Sequence, residues 1–294
     1  MTRQEAGTTT MTTEPIAVLG AGVMGVGITT LLAGHGLRVR LVDTDPDKLA
    51  QAPGRIRQEL RMAQMMGALP PDRPQGEVTP YSDLSAVRGA RLVIEAITED
   101  AALKNKTLAE VSALVAPGTP LVSNTSSIPI DELADAVDRP EDLIGTHFMN
   151  PPALIGTTEV IQGVRTGRAT LDAVRGLLGE VGRKPVVVRD APGFVTSRLL
   201  HPMINDAARV AQEGTASVED IDALMQGCLG HPTGPLRTAD LIGIDNLVDS
   251  LWVLLKRTGD EGCRPCDLLL AKVADGHHGR KSGRGFYEYE ESTR

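Results

Sequence analysis

The chain has 294 residues, long enough for two compact domains. Hydrophobic residues make up 41% and charged residues 23%, the balance of a protein with a large core, yet only 2% are aromatic, so that core must be built from Ala, Val, Leu, Ile and Met. A formal net charge of −8 argues against a basic nucleic-acid-binding face, and no apolar run nears the ~18–20 residues of a bilayer span, so neither nucleic acid nor membrane is expected as a partner.

Residues 1–13 are Thr-rich and lack the apolar stretch of a signal peptide; a disordered lead-in and a cytoplasmic protein are expected, with Met11 an alternative start. Ile16–Leu19 reads as a short strand running into Gly20-Ala21-Gly22-Val23-Met24-Gly25, and Val23–Ala33 as a helix. Leu37–Val42 is a second strand, ending at Asp43, and Pro46–Met66 a helix with proline in its first turn. Strands are then expected at Leu92–Ile97, Pro120–Ser123, Leu143–Thr146, Thr158–Ile161 and Val186–Arg189, with helices at Ala101–Val115, Ile130–Val137 and Leu171–Val181. This alternation predicts an α/β domain over 14–190 with a mostly parallel sheet. Beyond Asp190-Ala191-Pro192-Gly193 the pattern is helical (Val195–Glu213, Val218–Gly227, Pro235–Arg257, Pro265–Ala274), which predicts an all-α domain over 191–294.

A G-x-G-x-x-G string is informative only in context, and here it leaves a strand and opens a helix. Gly20 permits the tight turn, Gly22 the close approach of a pyrophosphate, and Gly25 the packing of helix on strand. The helix start, Val23 and Met24 included, offers backbone N–H groups to the phosphates. Asp43, 23 residues after Gly20, is placed to accept hydrogen bonds from ribose hydroxyls and to repel a 2′-phosphate. NAD is therefore expected over NADP, with Arg38 and Arg40 as the counter-evidence; a glycine-rich turn without a nucleotide is the bland alternative.

His147 follows an apolar strand and precedes Asn150-Pro151-Pro152, and strand-end loops are where open parallel sheets hold ligands. Glu159, twelve residues on, could hold the imidazole in one tautomer and stabilise its protonated form, although spacing alone does not bring the two together. Ser123-Asn124-Thr125-Ser126-Ser127 also leaves a strand; its hydroxyls either bind a substrate oxygen or serve as turn and N-cap residues. Cys228, Cys263 and Cys266 are the only cysteines. The C-x-x-C reads as two incidental thiols, with a redox pair or half a zinc site as the alternative, and no metal is expected.

With GAGVMG, VIEAITED followed by Lys104, SNTSS, GTHFMNPP, TEVI, APGFVTSRLL, GHPTGPLRTADLIGIDN and GRKSGRGFYEY in this order, the chain resembles the 3-hydroxyacyl-CoA dehydrogenase family from about Pro15 to Tyr289. The resemblance implies a Rossmann-like NAD domain and a helical domain that binds substrate and forms a homodimer. It implies a His147–Glu159 catalytic pair, a substrate contact at Ser126, Glu99 and Lys104 near the nicotinamide half of NAD, Asn150 holding the loop beside the cofactor, and Asp43 on the ribose. Ser197 stands where the family has Asn and is carried over as a substrate contact. Gly156 stands where the family often has Lys, and Glu59 and Met66 where several mitochondrial-type members bind coenzyme A through Ser and Lys. The same helix carries Arg55, Arg57 and Arg61, either a solvated face or a docking face for an acidic acyl carrier protein.

The resemblance thus implies oxidation of a 3-hydroxyacyl thioester to its 3-oxo form. The carrier is coenzyme A or, as in relatives that supply polyketide extender units, an acyl carrier protein. A free 3-hydroxyacid dehydrogenase is disfavoured because that related group uses a catalytic Lys in its C-terminal half, where Val195–Arg257 holds almost none. An NAD-binding protein without turnover is the non-enzymatic alternative.

Overall fold

A computed structural model describes residues 14–289; the lead-in expected at 1–13 lies outside the described residues. The chain divides into two compact units at Asp190/Ala191.

The first unit contains β1 (Ile16–Leu19), α1 (Val23–Gly34), β2 (Val39–Val42), α2 (Pro46–Met65), β3 (Val78–Tyr81), β4 (Leu92–Glu95), α3 (Ala101–Leu114), β5 (Leu121–Asn124), α4 (Ile130–Leu133), β6 (Leu143–His147), β7 (Thr157–Gln162), α5 (Arg168–Glu180) and β8 (Lys184–Arg189). The strands form one sheet in the order β3-β2-β1-β4-β5-β6-β7-β8. All neighbours are parallel except β6 and β7, which are antiparallel. The chain winds outward from β1 to β2 and β3, then returns to the other side of β1 for β4, β5 and β6. Such a reversal opens a crevice at the carboxyl ends of the strands, between β1 and β4.

Helix α1 is buried from Gly25 to Gly34, because it is covered both by the sheet and by α2. The contacts from α2 are Ala52, Ile56, Leu60 and Ala63, spaced three or four apart so that they share one face. Asp45 caps α2 by accepting from the Asp47 and Lys48 amides at 3.0 and 3.2 Å.

Three expectations are corrected. Strand β3 has no counterpart in the sequence reading: it contains Pro80 and is half exposed, which a strand tolerates at a sheet edge where only one side must bond. The helix expected over Ile130–Val137 is a single turn, α4, after which Ala136 bonds back only three residues to Leu133. The helix expected over Pro235–Arg257 is two helices, because Gly243 has φ +95°, a conformation open to glycine that takes the chain out of the helix.

The second unit consists of α6 (Thr196–Gln212), α7 (Val218–Leu229), α8 (Pro235–Ile242), α9 (Ile244–Thr258) and α10 (Asp267–Ala274) around an aliphatic core that includes Ile204, Leu236, Leu247, Leu251 and Leu269. Two buried carboxylates fasten the final segment to it. Asp240 accepts from the Phe286 amide at 2.8 Å, the Tyr287 amide at 2.9 Å and the Tyr289 hydroxyl at 3.0 Å, and Asp222 accepts from the Tyr287 hydroxyl at 2.8 Å. The motifs GHPTGPLRTADLIGIDN and GRKSGRGFYEY therefore occur together for a structural reason: one supplies Asp240 and the other its donors. Among the described residues no helix is long and apolar enough to cross a membrane.

Cys263 and Cys266 lie inside this core, and burial pushes both thiols up from their ordinary range; Cys228 is exposed. Since the thiolate is the reactive form, a thiol reagent added to native protein should label Cys263 and Cys266 only on unfolding. Peptide mapping of the labelled protein checks this, and rapid labelling of either in the native protein would contradict it.

Candidate active site

The glycine turn leaves β1 at the crevice. Its three glycines are required for different reasons. Gly20 has φ +97°, and a Cβ there would stand 2.6 Å from the Ala96 carbonyl oxygen. A Cβ on Gly25 would stand 1.7 Å from the Gly20 oxygen, so Gly25 lets α1 start directly against the turn. A Cβ on Gly22 would meet nothing within 4 Å. Packing inside the protein does not require glycine at that position, whereas a phosphate approaching the backbone does. Gly22 is the N-cap of α1 and brings no side-chain cap, which leaves the first-turn amides of Val23 and Met24 to a ligand.

Asp43 closes the turn from β2: one oxygen accepts from the Ala21 amide at 2.6 Å and the other from the Asp45 amide at 2.9 Å. Arg40, one of the two arginines that favoured NADP, is committed elsewhere, donating to the Ala86 and Arg88 carbonyls at 2.8 and 2.7 Å. The residues at this end fit the adenosine and pyrophosphate of NAD: an open backbone approach, amides at a helix start, and a carboxylate where a 2′-phosphate would be repelled.

Between β1 and β6 lie the exits of β4 and β5, tied together by buried polar groups. The Lys104 ammonium, fully buried, lies 2.6 Å from Glu95 Oε1 and 3.3 Å from Glu99 Oε2. The other oxygen of Glu99 accepts from the Thr125 hydroxyl at 2.6 Å and the amides of Ser126 and Ser127 at 2.9 and 3.0 Å. Burial alone would raise the Glu99 carboxyl, but the Lys104 charge and these donors outweigh it and hold the group below its ordinary range. Ser126, half exposed, is thus registered by Glu99, and Thr125 accepts from the Ser127 and Ile128 amides as a turn residue does, while α4 starts after Pro129 without a side-chain cap.

His147 ends β6 and Glu159 lies in β7, and the antiparallel register sets them directly opposite each other. His147 Nδ1 is 2.9 Å from Glu159 Oε2, and both residues are buried. The contact follows from chain geometry. Only residues 148–156 separate the two strands, too few for a helical crossover, so β7 must return antiparallel. Parallel strands β1, β4, β5 and β6 end on one edge of the sheet, which places the pair three strands from the glycine turn, about 14 Å at ~4.8 Å per strand.

The loop after His147 is held at several points. Phe148 N donates to Asn124 Oδ1 at 3.0 Å, and the buried Arg183 guanidinium donates to the Ala153 carbonyl at 2.6 Å and the Pro152 carbonyl at 3.3 Å. Asn150 is exposed on this loop. Ser197 belongs to the second unit, where it is buried in the first turn of α6. Glu95, Asn124 and Arg183 were not singled out from sequence. Glu95 was hidden as the last residue of an apolar strand; the signal available was a carboxylate in an otherwise apolar run, with Lys104 nine residues on.

The chain is similar to known proteins over most of its length. Residues 15–191 match the family model described as 3-hydroxyacyl-CoA dehydrogenase, NAD binding domain, and residues 193–289 match that of the C-terminal domain. The chain belongs to the 3-hydroxyacyl-CoA dehydrogenase family. A Bacillus subtilis relative named probable 3-hydroxybutyryl-CoA dehydrogenase is 40% identical over 286 residues, covering 96% of this chain and 100% of the relative. The mitochondrial hydroxyacyl-coenzyme A dehydrogenase of Sus scrofa is 33% identical, covering 94% of this chain and 91% of its own. The crystal structure of (S)-3-hydroxybutyryl-CoA dehydrogenase from Ralstonia eutropha superposes with a TM-score of 0.85 at 35% identity, covering 95% of this chain and 99% of the other. Membership in this family makes the chain an NAD-dependent oxidoreductase.

A hydrogen bond to a charged group contributes about 1.5–3 kcal/mol. If Glu159 stabilises a protonated His147, Glu159→Gln should lower kcat by roughly 10- to 150-fold, the same energy expressed as rate. The NAD dissociation constant should stay near that of the parent. Steady-state kinetics with a fluorescence titration of NAD checks both, and an unchanged kcat would remove the role.

Proposed function

We propose that this chain interconverts a 3-hydroxyacyl-CoA and its 3-oxoacyl-CoA, with His147 as the group that takes and returns the proton. The observation that carries the reading is the 2.9 Å contact between His147 and Glu159 on the sheet edge that also bears the glycine turn. NAD, when bound, supplies the acceptor for the hydride that leaves C3. His147 takes the C3 hydroxyl proton at Nε2. Glu159, on Nδ1, keeps the ring in the tautomer whose Nε2 can accept that proton, and offsets the charge of the imidazolium that forms. The alcohol thereby loses one hydride and one proton, and the reverse reaction returns them. Ser126 hydrogen-bonds the reacting oxygen, held in register by Glu99. Glu99 and Lys104 serve the nicotinamide half of the cofactor, Asn150 its loop, and Ser197 the acyl group.

The relatives' names favour coenzyme A as carrier. A second reading rests on α2. Arg57 and Arg61 are exposed on it, and Glu59 is a half-buried carboxyl raised by burial against the pull of the Thr30 hydroxyl and of Arg55. That face suits the acidic surface of an acyl carrier protein. The chain acts as a homodimer in the cytoplasm; exposed Leu199, Leu224, Leu229 and Leu241 on the second unit support a self-association face.

An NADH-linked assay with matched 3-hydroxybutyryl thioesters on both carriers, alongside sedimentation of the protein, tests these readings. Turnover of the coenzyme A thioester by a dimer is expected. Turnover confined to the carrier-protein thioester would transfer the function to the second reading, and a monomer with full activity would remove the dimer.

A further inference from the structure

The mechanism above does not use Glu95, although this residue has the most buried carboxylate of the site. It is 0% exposed and accepts three hydrogen bonds: from the Ile97 amide at 2.8 Å, the Lys104 ammonium at 2.6 Å and the Ser123 hydroxyl at 2.6 Å. These donors come from three different pieces of the site, namely the exit of β4, the first turns of α3 and the last rungs of β5. The sheet register shows why one side chain can reach all three. Leu19, Glu95, Ser123 and Gly145 form a single row across β1, β4, β5 and β6, immediately below the loops that carry the glycine turn, Glu99 and Ser126 and two residues before His147 at the end of β6.

Stability does not account for this arrangement. A buried carboxylate and a buried ammonium are each costly to desolvate, and a well-packed apolar pair in their place is commonly neutral or stabilising. What the pair provides is position. Lys104 has a flexible four-carbon stem, and its ammonium is fixed by two carboxylates, more closely by Glu95 at 2.6 Å than by Glu99 at 3.3 Å. Its pull on Glu99 Oε2 determines which way the Glu99 carboxylate turns, and Glu99 Oε1 in turn holds the amides of Ser126 and Ser127. The chain Glu95–Lys104–Glu99–Ser126 joins the groups assigned to the nicotinamide half of the cofactor to the group assigned to the reacting oxygen.

We infer that Glu95 is a positioning residue of the dehydrogenase reaction, setting Lys104 and Glu99 so that the cofactor site and the Ser126 site are built together. It touches neither ligand, and its role rests on the proposed assignment of Lys104, Glu99 and Ser126.

Glu95→Gln keeps the shape and removes the charge that fixes Lys104. The expected result is a rise of at least fivefold in both the KM for NAD and the KM for 3-hydroxybutyryl-CoA, with a matching rise in the NAD dissociation constant measured by fluorescence without thioester. These constants do not depend on how much of the sample is folded, so a purely structural role would lower the melting temperature and the yield of active enzyme without moving them. Should Glu95→Gln fail to fold, Ser123→Ala removes a single donor to the same carboxylate, and both KM values should rise at least twofold. Parental KM values and NAD affinity in Glu95→Gln, or in Ser123→Ala where the first does not fold, overturn the inference. The parent protein in the same assay reports separately on the proposed reaction, and its failure to turn over the thioester would count against that reading rather than against the NAD half of this one.

Discussion

His147→Gln lowers kcat for 3-hydroxybutyryl-CoA by about a thousandfold, the middle of the ~10²–10⁴ range that a positioned acid/base contributes. That loss is about 4 kcal/mol of transition-state stabilisation. Gln occupies much of the ring's volume and can hydrogen-bond the substrate oxygen, but it cannot carry a proton at neutral pH. The glycine turn lies about 14 Å away across three strand spacings, so the substitution does not reach it. NAD affinity should therefore stay within about twofold, less than 0.5 kcal/mol. A fall in kcat with NAD binding retained separates loss of chemistry from loss of fold. Turnover within tenfold of the parent would mean that another group moves the proton.

Gly22→Val weakens NAD binding by more than about a hundredfold without unfolding the protein. Among the described residues nothing beyond the chain neighbours lies within 4 Å of a Cβ at this position, and the backbone at φ −73° and ψ −167° is outside the left-handed region that demands glycine. Poorer helix capping costs about 1 kcal/mol, or roughly 2–4 °C of melting temperature for a domain of this size. The same side chain stands where the pyrophosphate must come. Losing two charge-assisted hydrogen bonds at about 1.5–3 kcal/mol each weakens NAD by more than about a hundredfold. Gly25→Ala should behave in the opposite sense. Its Cβ at 1.7 Å from the Gly20 oxygen forces the backbone apart, so stability falls before cofactor binding is tested. Thermal denaturation and NAD titration of the two variants form one experiment, and a Gly22→Val protein that binds NAD normally would displace the pyrophosphate from this turn.

The contrast between these glycines shows why one end of the site could be read from the sequence. The turn at Gly20, the helix start at Gly25 and the carboxylate at Asp43 are local requirements, set by backbone sterics within one strand–turn–helix unit. The resemblance implies His147 and Glu159 as a pair, but their spacing does not show that they meet, because the contact depends on the antiparallel register of β6 and β7. The short 148–156 connection carried that information. Glu95 and Arg183 depend on more distant partners, Lys104 and Ser123 for one and the Pro152 and Ala153 carbonyls for the other; a lone carboxylate in an apolar run marks Glu95, and no local pattern marks Arg183. Strand β3 was missed because Pro80 argues against a strand everywhere except at an edge. The break at Gly243 was missed because the apolar spacing of α8 continues almost in phase into α9.

The measurement that bears most directly on the whole account is the fate of the C3 hydrogen. With 3-hydroxybutyryl-CoA deuterated at C3, the parent enzyme should deliver the label to the nicotinamide ring, one deuterium for each 3-oxo product, and release one proton to the medium. His147→Gln should deliver it to the same place, only more slowly. Label recovered in water, or tight NAD binding with no reduced nicotinamide formed from any 3-hydroxyacyl thioester, would contradict the assignment and leave the chain as an NAD-binding protein without this chemistry.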